Sequence, residues 1–237
     1  MNILQAIRNN IPNAVTCCNM LSGALACIAA FHAFEPWWWG LQGYQVAFIL
    51  IAAAAVFDFF DGFTARLLHA TSPLGKELDS LSDAVSFGLA PGMVLYNMLT
   101  QYATECSCAG YIAMLIPIFG ALRLAKFNVS TDQSTTFTGL PIPANAIFWI
   151  GFTNLYAEHH ASVPTWLVAV LVVAFSLLMV CNLRMFSLKL HSLSVKENYK
   201  QYLLVLAFVL SVAFCGVTGL AWAILFYILL SAVTKQD

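Results

Sequence analysis

Residues 58–83 read DFFDGFTARLLHATSPLGKELDSLSD. Ser72 followed by Pro73 is typical of a helix start, so this stretch is predicted to end one helix, turn near residues 67–72 and begin another. Because successive helical residues are about 100° apart, the polar and small residues share one face of each helix. They are Asp58, Asp61, Gly62, Ala65 and Arg66 on the first helix, and Gly75, Asp79, Ser82, Asp83 and Ser86 on the second. The hairpin 58–83 can therefore point four carboxylates at one another.

The composition of the chain places this hairpin in a membrane. Of 237 residues, 61% are hydrophobic and 9% are charged, and the mean hydropathy is +0.81. Soluble domains carry about 25% charged residues. The formal net charge of -1 excludes the broad basic surface that nucleic-acid binding requires. The sequence predicts an integral membrane protein with no nucleic-acid partner.

Eight stretches are long and apolar enough, or nearly so, to cross a bilayer, which takes about 20 residues of helix. They are 14–34, 44–66, 75–99, 109–127, 141–157, 164–183, 200–215 and 219–234, the last two divided by Gly216 and Gly219. The predicted fold is thus an all-α polytopic membrane protein. Residues 1–13 carry an apolar stripe before Pro12 and are predicted to form a short interfacial helix that leads into the first span.

The basic residues predict the orientation, because cytoplasmic loops carry the excess of Lys and Arg. With the N-terminus inside, all ten basic residues fall on the cytoplasmic side, and the outer connections 35–43, 100–108, 158–163 and 216–219 carry none. Both termini and the aspartate hairpin are therefore expected to face the cytoplasm.

The aspartates need a positive partner. An ionised side chain near the bilayer centre costs about 2.5–3.5 kcal/mol, and like charges repel one another. Arg66 supplies one charge, and a solvated ion network at the helix ends is one interpretation. Four carboxylates on facing helices favour the other, a site for Mg²⁺, Mn²⁺ or Ca²⁺ that holds one or two ions.

The hairpin carries the pattern D-x2-D-G-x2-A-R-x8-G-x3-D-x3-D, which resembles the signature of the CDP-alcohol phosphatidyltransferase family. The resemblance implies a binuclear Mg²⁺ or Mn²⁺ site with Asp58, Asp61 and Asp79 as ligands. Asp83 would lie at the metals and act as the general base. The same resemblance implies that Gly62, Ala65 and Gly75 permit close approach of a CDP group, whose phosphates pair with Arg66.

Further segments resemble the phosphatidylserine synthases of this family. They are IPNAVTCCNMLSG at 11–23, RLAKFN at 123–128, FTGLPIPAN at 137–145 and, less closely, NLRMFSLK at 182–189. In the first segment Asn13, Thr16 and Asn19 share a face toward the cytoplasm, and Asn13 and Thr16 are assigned to the CDP site. The resemblance implies one domain over residues 1–237, a homodimer, and transfer of a phosphatidyl group from CDP-diacylglycerol to L-serine with release of CMP.

The acceptor depends on a second group of residues. Arg123, Lys126 and Asn128 offer two cations and an amide suited to the serine carboxylate, although cations here also fit ordinary positive-inside residues. Glycerol 3-phosphate or an inositol phosphate is the alternative acceptor, but a phosphate calls for more cations. A divalent-cation transporter is a more distant alternative, and it predicts acidic residues throughout the membrane depth. Direct attack by serine and a covalent intermediate both stay open, and the absence of an obvious separate nucleophile favours direct attack.

Overall fold

A computed structural model describes residues 3–102, 108–129, 137–160, 163–185 and 198–233. Its α-helices are α1 (Ile3–Phe31), α2 (Gly43–Leu67), α3 (Pro73–Asp83), α4 (Ala90–Tyr102), α5 (Leu115–Val129), α6 (Ile142–His159), α7 (Thr165–Val180), α8 (Tyr199–Cys215) and α9 (Gly219–Val233). A π-helical segment (Ala84–Leu89) joins α3 to α4, and 3₁₀ turns precede α5 (Ala109–Met114) and α9 (Gly216–Thr218). The residues group into two compact units, Met1–Ala125 and Lys126–Asp237.

The first unit is built on α1 and α2, which pack along small residues. Ala26, Ala29 and Ala30 on α1 and Ala47 on α2 are fully buried, and small side chains let two helix backbones approach closely in a membrane. Residues 3–13, predicted to form an interfacial helix, are helical and continue into the first span without a break. Pro12 is inside this helix.

The turn of the aspartate hairpin matches the sequence signal. Helix α2 ends at Leu67, and α3 begins at Pro73 with Ser72 as its N-cap. The Ser72 hydroxyl oxygen accepts a hydrogen bond from the Gly75 amide at 3.0 Å, which satisfies one of the free donors of the first turn. Arg8 of α1 donates to the carbonyl of Leu68 at 3.0 Å. Helix α1 is thereby tied to the end of α2.

The second unit has an aromatic core. Phe148 on α6 stacks on Phe175 of α7 with their ring centroids 3.7 Å apart, and Trp149 donates its indole N–H to Asn145 at 3.1 Å. Strands β1 (Phe137–Thr138) and β2 (Arg184–Met185) pair antiparallel. This two-residue ladder and an isolated antiparallel bridge between Pro36 and Gln42 are the β-type pairings among the described residues.

The predicted division of the last apolar run is confirmed. Helices α8 and α9 pack against each other and are separated at Gly216, which has φ +57°. A Cβ at Gly219 would collide with the carbonyl of Ser211. Glycine is therefore needed at the turn for its backbone conformation and next to it for close packing.

The helices confirm a polytopic membrane protein. Each of the eight predicted stretches is helical over most of its length. By length and composition, four helical segments can cross a membrane, namely Asn10–Phe31, Gly43–Leu67, Ala109–Val129 and Tyr199–Val233, the last containing both α8 and α9. Helix α7 is a shorter apolar helix. The protein is an integral membrane protein.

Candidate active site

Three of the four aspartates meet in space. Each of Asp58, Asp61 and Asp79 offers a carboxylate oxygen, and these oxygens all lie within 4.8 Å of one another. Asp61 is 6% exposed, and the other two are half-buried. The facing arrangement of α2 and α3 that the sequence predicted is therefore present.

The donor set fits a divalent metal ion. Oxygen ligands from several carboxylates are what Mg²⁺, Mn²⁺ and Ca²⁺ prefer. Asp61 Oδ2 and Asp79 Oδ1 are buried and accept no hydrogen bond from any described residue. Buried carboxylate oxygens without a partner are costly, and a bound cation removes that cost. The cluster can hold a divalent metal ion.

Asp83 is buried beside these three aspartates. It is 9% exposed and interacts electrostatically with Asp58, Asp79 and Arg123. The group of three converging oxygens does not include it. The structure thus brings Asp83 next to the cluster, and its direct contact with a metal stays a prediction.

The other residues of the sequence pattern have different surroundings. A Cβ at Gly62 would meet no atom within 4 Å, so space is open beside Asp61. A Cβ at Gly75 would lie 3.0 Å from Asn13 Oδ1, which places the α1 residue Asn13 beside the start of α3. Ala65 is half-buried and Arg66 is exposed. The surroundings of Gly62 are therefore open, and those of Gly75 are tightly packed.

Helix α1 contributes more than the sequence analysis foresaw. Thr16 is buried and interacts with Asp61, and its predicted contact with CDP stays a prediction. Asn19 is fully buried beside Asp83, but it was noted only as part of a helix face. The shared face of Ser82, Asp83 and Ser86 was visible in the sequence. The π-helical segment that begins directly after Asp83 was not predicted from the sequence.

The predicted serine contacts fall into two environments. Arg123 is 9% exposed and is the cation that interacts with Asp83, a contact that the sequence analysis did not foresee. Lys126 donates hydrogen bonds to the carbonyl of Val180 at 3.1 Å and to Asn182 Oδ1 at 2.9 Å. Asn128 is half-buried near the end of α5. The Lys126 ammonium is therefore hydrogen-bonded to residues at and just after the end of α7.

Comparison with known proteins decides the family. Residues 9–178 match CDP-alcohol phosphatidyltransferase. The chain belongs to the CDP-alcohol phosphatidyltransferase family. This confirms the resemblance seen in the hairpin. The matched region contains the complete aspartate pattern and the segments of α1 and α5 that border it.

Several curated relatives carry the name CDP-diacylglycerol--serine O-phosphatidyltransferase. The protein from Mycobacterium bovis is 34% identical over 227 residues, which are 91% of this chain and 74% of that protein. The protein from Methanocaldococcus jannaschii is 33% identical over 174 residues, covering 73% of this chain and 72% of that protein. A 38% identical match to the Mycobacterium leprae protein spans 53% of that protein's length. The similarity thus extends to bacterial and archaeal proteins named for transfer to serine.

Proposed function

We propose that this protein transfers a phosphatidyl group from CDP-diacylglycerol to L-serine, giving phosphatidylserine and CMP. One observation carries the proposal: three carboxylate oxygens within 4.8 Å of one another lie next to an acid, Asp83, that is itself beside the buried cation Arg123. The names of the curated relatives support serine as the acceptor.

Asp58, Asp61 and Asp79 would hold the metal, for which we propose two Mg²⁺ or Mn²⁺ ions with Asp83 as a further ligand. Bound there, the ions would neutralise phosphoryl oxygens and stabilise the departing CMP. The carboxylates would fix the position of the metal charge because they are on two helices that are joined by a short turn, and the second of these helices has an N-cap. Their chemical role is to bind, and none of them needs to form a covalent bond.

Asp83 would act as the general base. It takes the proton of the serine hydroxyl while the serine oxygen bonds to the phosphorus of the phosphatidyl group, and the bond from that phosphorus to the CMP oxygen breaks. A buried carboxylate next to a metal cluster suits this role because it is withheld from bulk water. Direct attack needs no further nucleophile.

The open space at Gly62 would admit the CDP group, and Ala65, Gly75, Asn13 and Thr16 would border it. Arg66 would pair with the phosphates, because a guanidinium offers several donors in a fixed geometry. These roles rest on the family resemblance and on the position of each residue around the cluster.

Arg123 would bind the serine carboxylate. Its contact with Asp83 would bring that carboxylate close to the base that accepts the hydroxyl proton, and the two groups of serine are separated by two carbon atoms. The predicted serine contacts of Lys126 and Asn128 stay predictions, since the Lys126 ammonium is bound within the chain.

The proposal includes a cytoplasmic site that opens both to water and to lipid, because CDP and serine are water-soluble while the acyl chains are not. The distribution of basic residues supports this orientation, with both termini on the same side. We further propose that residues 1–237 form one functional domain. Homodimerisation is expected from the family resemblance.

The acceptor is tested by CMP release from CDP-diacylglycerol by the purified, metal-loaded protein with serine, glycerol 3-phosphate, inositol phosphate or water. We expect stimulation by serine alone. Stimulation by another acceptor would retain the metal chemistry and overturn the choice of serine. If folded protein releases no CMP but carries Mn²⁺ into reconstituted vesicles, the proposed enzyme activity is overturned in favour of a cation transporter.

A further inference from the structure

Asn19 is an unusual residue for the interior of a membrane helix. It is 0% exposed, and neither its Nδ2 nor its Oδ1 atom forms a hydrogen bond of standard geometry with any described residue. Leaving a buried donor or acceptor unsatisfied costs about 1–3 kcal/mol. Apolar side chains would avoid this cost, so the carboxamide calls for a functional partner.

Asp83 is the candidate for this partner. The Asn19 side chain lies beside the Asp83 carboxyl group, and Asp83 Oδ1 also has no hydrogen-bond partner among the described residues. A carboxamide N–H is a suitable donor to a carboxylate oxygen. The Asn19 Nδ2 atom can therefore hold one oxygen of Asp83 after a small adjustment.

The backbone around Asn19 is held firmly against the helix that carries Asp83. The Ser82 hydroxyl donates to the Thr16 carbonyl at 2.9 Å, and the Ser86 hydroxyl donates to the Asn19 carbonyl at 3.0 Å. These two hydroxyls come directly before and three residues after Asp83. The position of α1 against α3 and the π-helical segment is thus fixed on both sides of the acid.

Gly23 allows the same close approach one turn further along α1. A Cβ at Gly23 would lie 2.7 Å from the Cα of Ser86, which is closer than a real contact permits. The π-helical segment begins at Ala84, and short π-helical insertions are frequent at functional sites. Together, Gly23 and the two serines form an interhelical clamp that fixes Asn19 beside Asp83.

We infer that Asn19 is a positioning residue for Asp83, held in place by this clamp. Its amide fixes the orientation of the carboxylate so that one oxygen faces the hydroxyl of the acceptor. The inference rests on the proposed function, because it assigns Asn19 to the base of that reaction. Asp58, Asp79 and Arg123 also face Asp83, but only Asn19 among these four is a neutral donor.

The test compares Asn19→Ala with Asn19→Gln, and with Asn97→Ala as a matched control. Asn97 is in the same unit and donates to the carbonyl of Met93 in its own helix. For each full-length protein we would measure kcat and both KM values for CMP release, Mn²⁺ affinity by calorimetry, and the unfolding temperature. We expect Asn19→Ala to lower kcat about 10- to 100-fold, with both KM values, Mn²⁺ affinity and unfolding temperature near those of the wild type.

Asn19→Gln retains the amide and should recover part of kcat, while Asn97→Ala should resemble the wild type. A wild-type kcat in Asn19→Ala overturns the inference and leaves the proposed function intact. A selective rise in KM also overturns it, because Asn19 would then bind substrate. If the wild-type protein itself releases no CMP, the proposed function fails first.

Gly23→Ala provides a second test that removes no polar group. The added methyl forces α1 away from Ser86, so kcat should fall with unchanged Mn²⁺ affinity, and the double variant with Asn19→Ala should lose little more than Asn19→Ala alone. If Asn19→Ala does not fold, Gly23→Ala and Ser86→Ala decide the matter. Wild-type kcat in both of these folded variants overturns the inference.

Discussion

The hairpin α2–α3 and the pair α8–α9 use glycine for opposite purposes. The first gathers Asp58, Asp61 and Asp79 and leaves open space at Gly62. The second contains no acidic residue, and its Gly219 packs directly against the carbonyl of Ser211. The polar hairpin α2–α3 has open space at its glycine, whereas the apolar pair α8–α9 is closely packed at its glycine. The surroundings of a glycine, and not its presence in a helix, therefore indicate whether it serves binding or folding.

The largest effect is expected from Asp83→Asn. If Asp83 is the base, replacing its carboxylate with a neutral amide of the same shape lowers the rate of CMP release by about 10²- to 10⁴-fold. The measurement is kcat for folded, Mn²⁺-loaded protein with serine. Glu77→Gln is the control, since Glu77 is an exposed acid on the same helix, and its kcat should stay near that of the wild type. Comparable rates for both variants would remove Asp83 from the chemistry.

Asp79→Asn should act through the metal. Loss of one of three converging carboxylates is expected to raise the Mn²⁺ concentration for half-maximal activity by about 10- to 100-fold. Without metal, the variant should unfold at a temperature no lower than that of the wild type, because one repelling charge is gone. Calorimetric titration measures the Mn²⁺ affinity, and thermal unfolding in detergent measures the stability. Unchanged Mn²⁺ affinity with lower stability would instead make the cluster a structural ion network.

The two glycines give the sharpest contrast between the regions. Gly62→Ala adds a methyl to open space, so we expect an unchanged unfolding temperature and a KM for CDP-diacylglycerol that is higher by about tenfold or more. Gly219→Ala forces a methyl against a backbone carbonyl, so we expect a stability loss of about 1–3 kcal/mol with unchanged KM. Exchanged results for the two variants would contradict the roles assigned to the two regions.

Lys126→Met should have the smallest effect. Removing the hydrogen bonds to Val180 and Asn182 is expected to lower the stability by about 1 kcal/mol, seen as a lower unfolding temperature. Asn182→Ala removes one of the same contacts and is the matched comparison. An unchanged unfolding temperature would contradict the anchoring role of Lys126. If Lys126 also binds serine, Lys126→Met raises the KM for serine, and an unchanged KM would contradict that contact.

The aspartate hairpin could be predicted from the sequence because the residues that define it are close together in the chain. Ser72 and Pro73 define the helix start, and the spacing of Asp58, Asp61, Asp79 and Asp83 defines the two faces. The family followed from the same residues. The division at Gly216 was also predicted, because a glycine interrupts an apolar run that is too long for one span.

Contacts between distant helices could not be predicted in the same way. The placement of Asn19 beside Asp83 depends on how α1 packs against α3 and the π-helical segment. Ser82 and Ser86 fix this packing through hydrogen bonds to residues more than 60 positions away in the chain. The hydrogen bond from Lys126 to the carbonyl of Val180 likewise joins residues that are 54 positions apart in the chain. Periodicity indicates which face of a helix is polar, but not which neighbour that face meets.

Metal-dependent CMP release tests the central claim most directly. Purified protein is treated with a chelator, mixed with CDP-diacylglycerol and L-serine in detergent micelles, and assayed for CMP before and after Mn²⁺ is restored. The account predicts no release in the chelated protein, and release after addition of Mn²⁺ only when serine is present. CMP release that continues without metal, or folded Mn²⁺-loaded protein that gives no serine-dependent release, would contradict it.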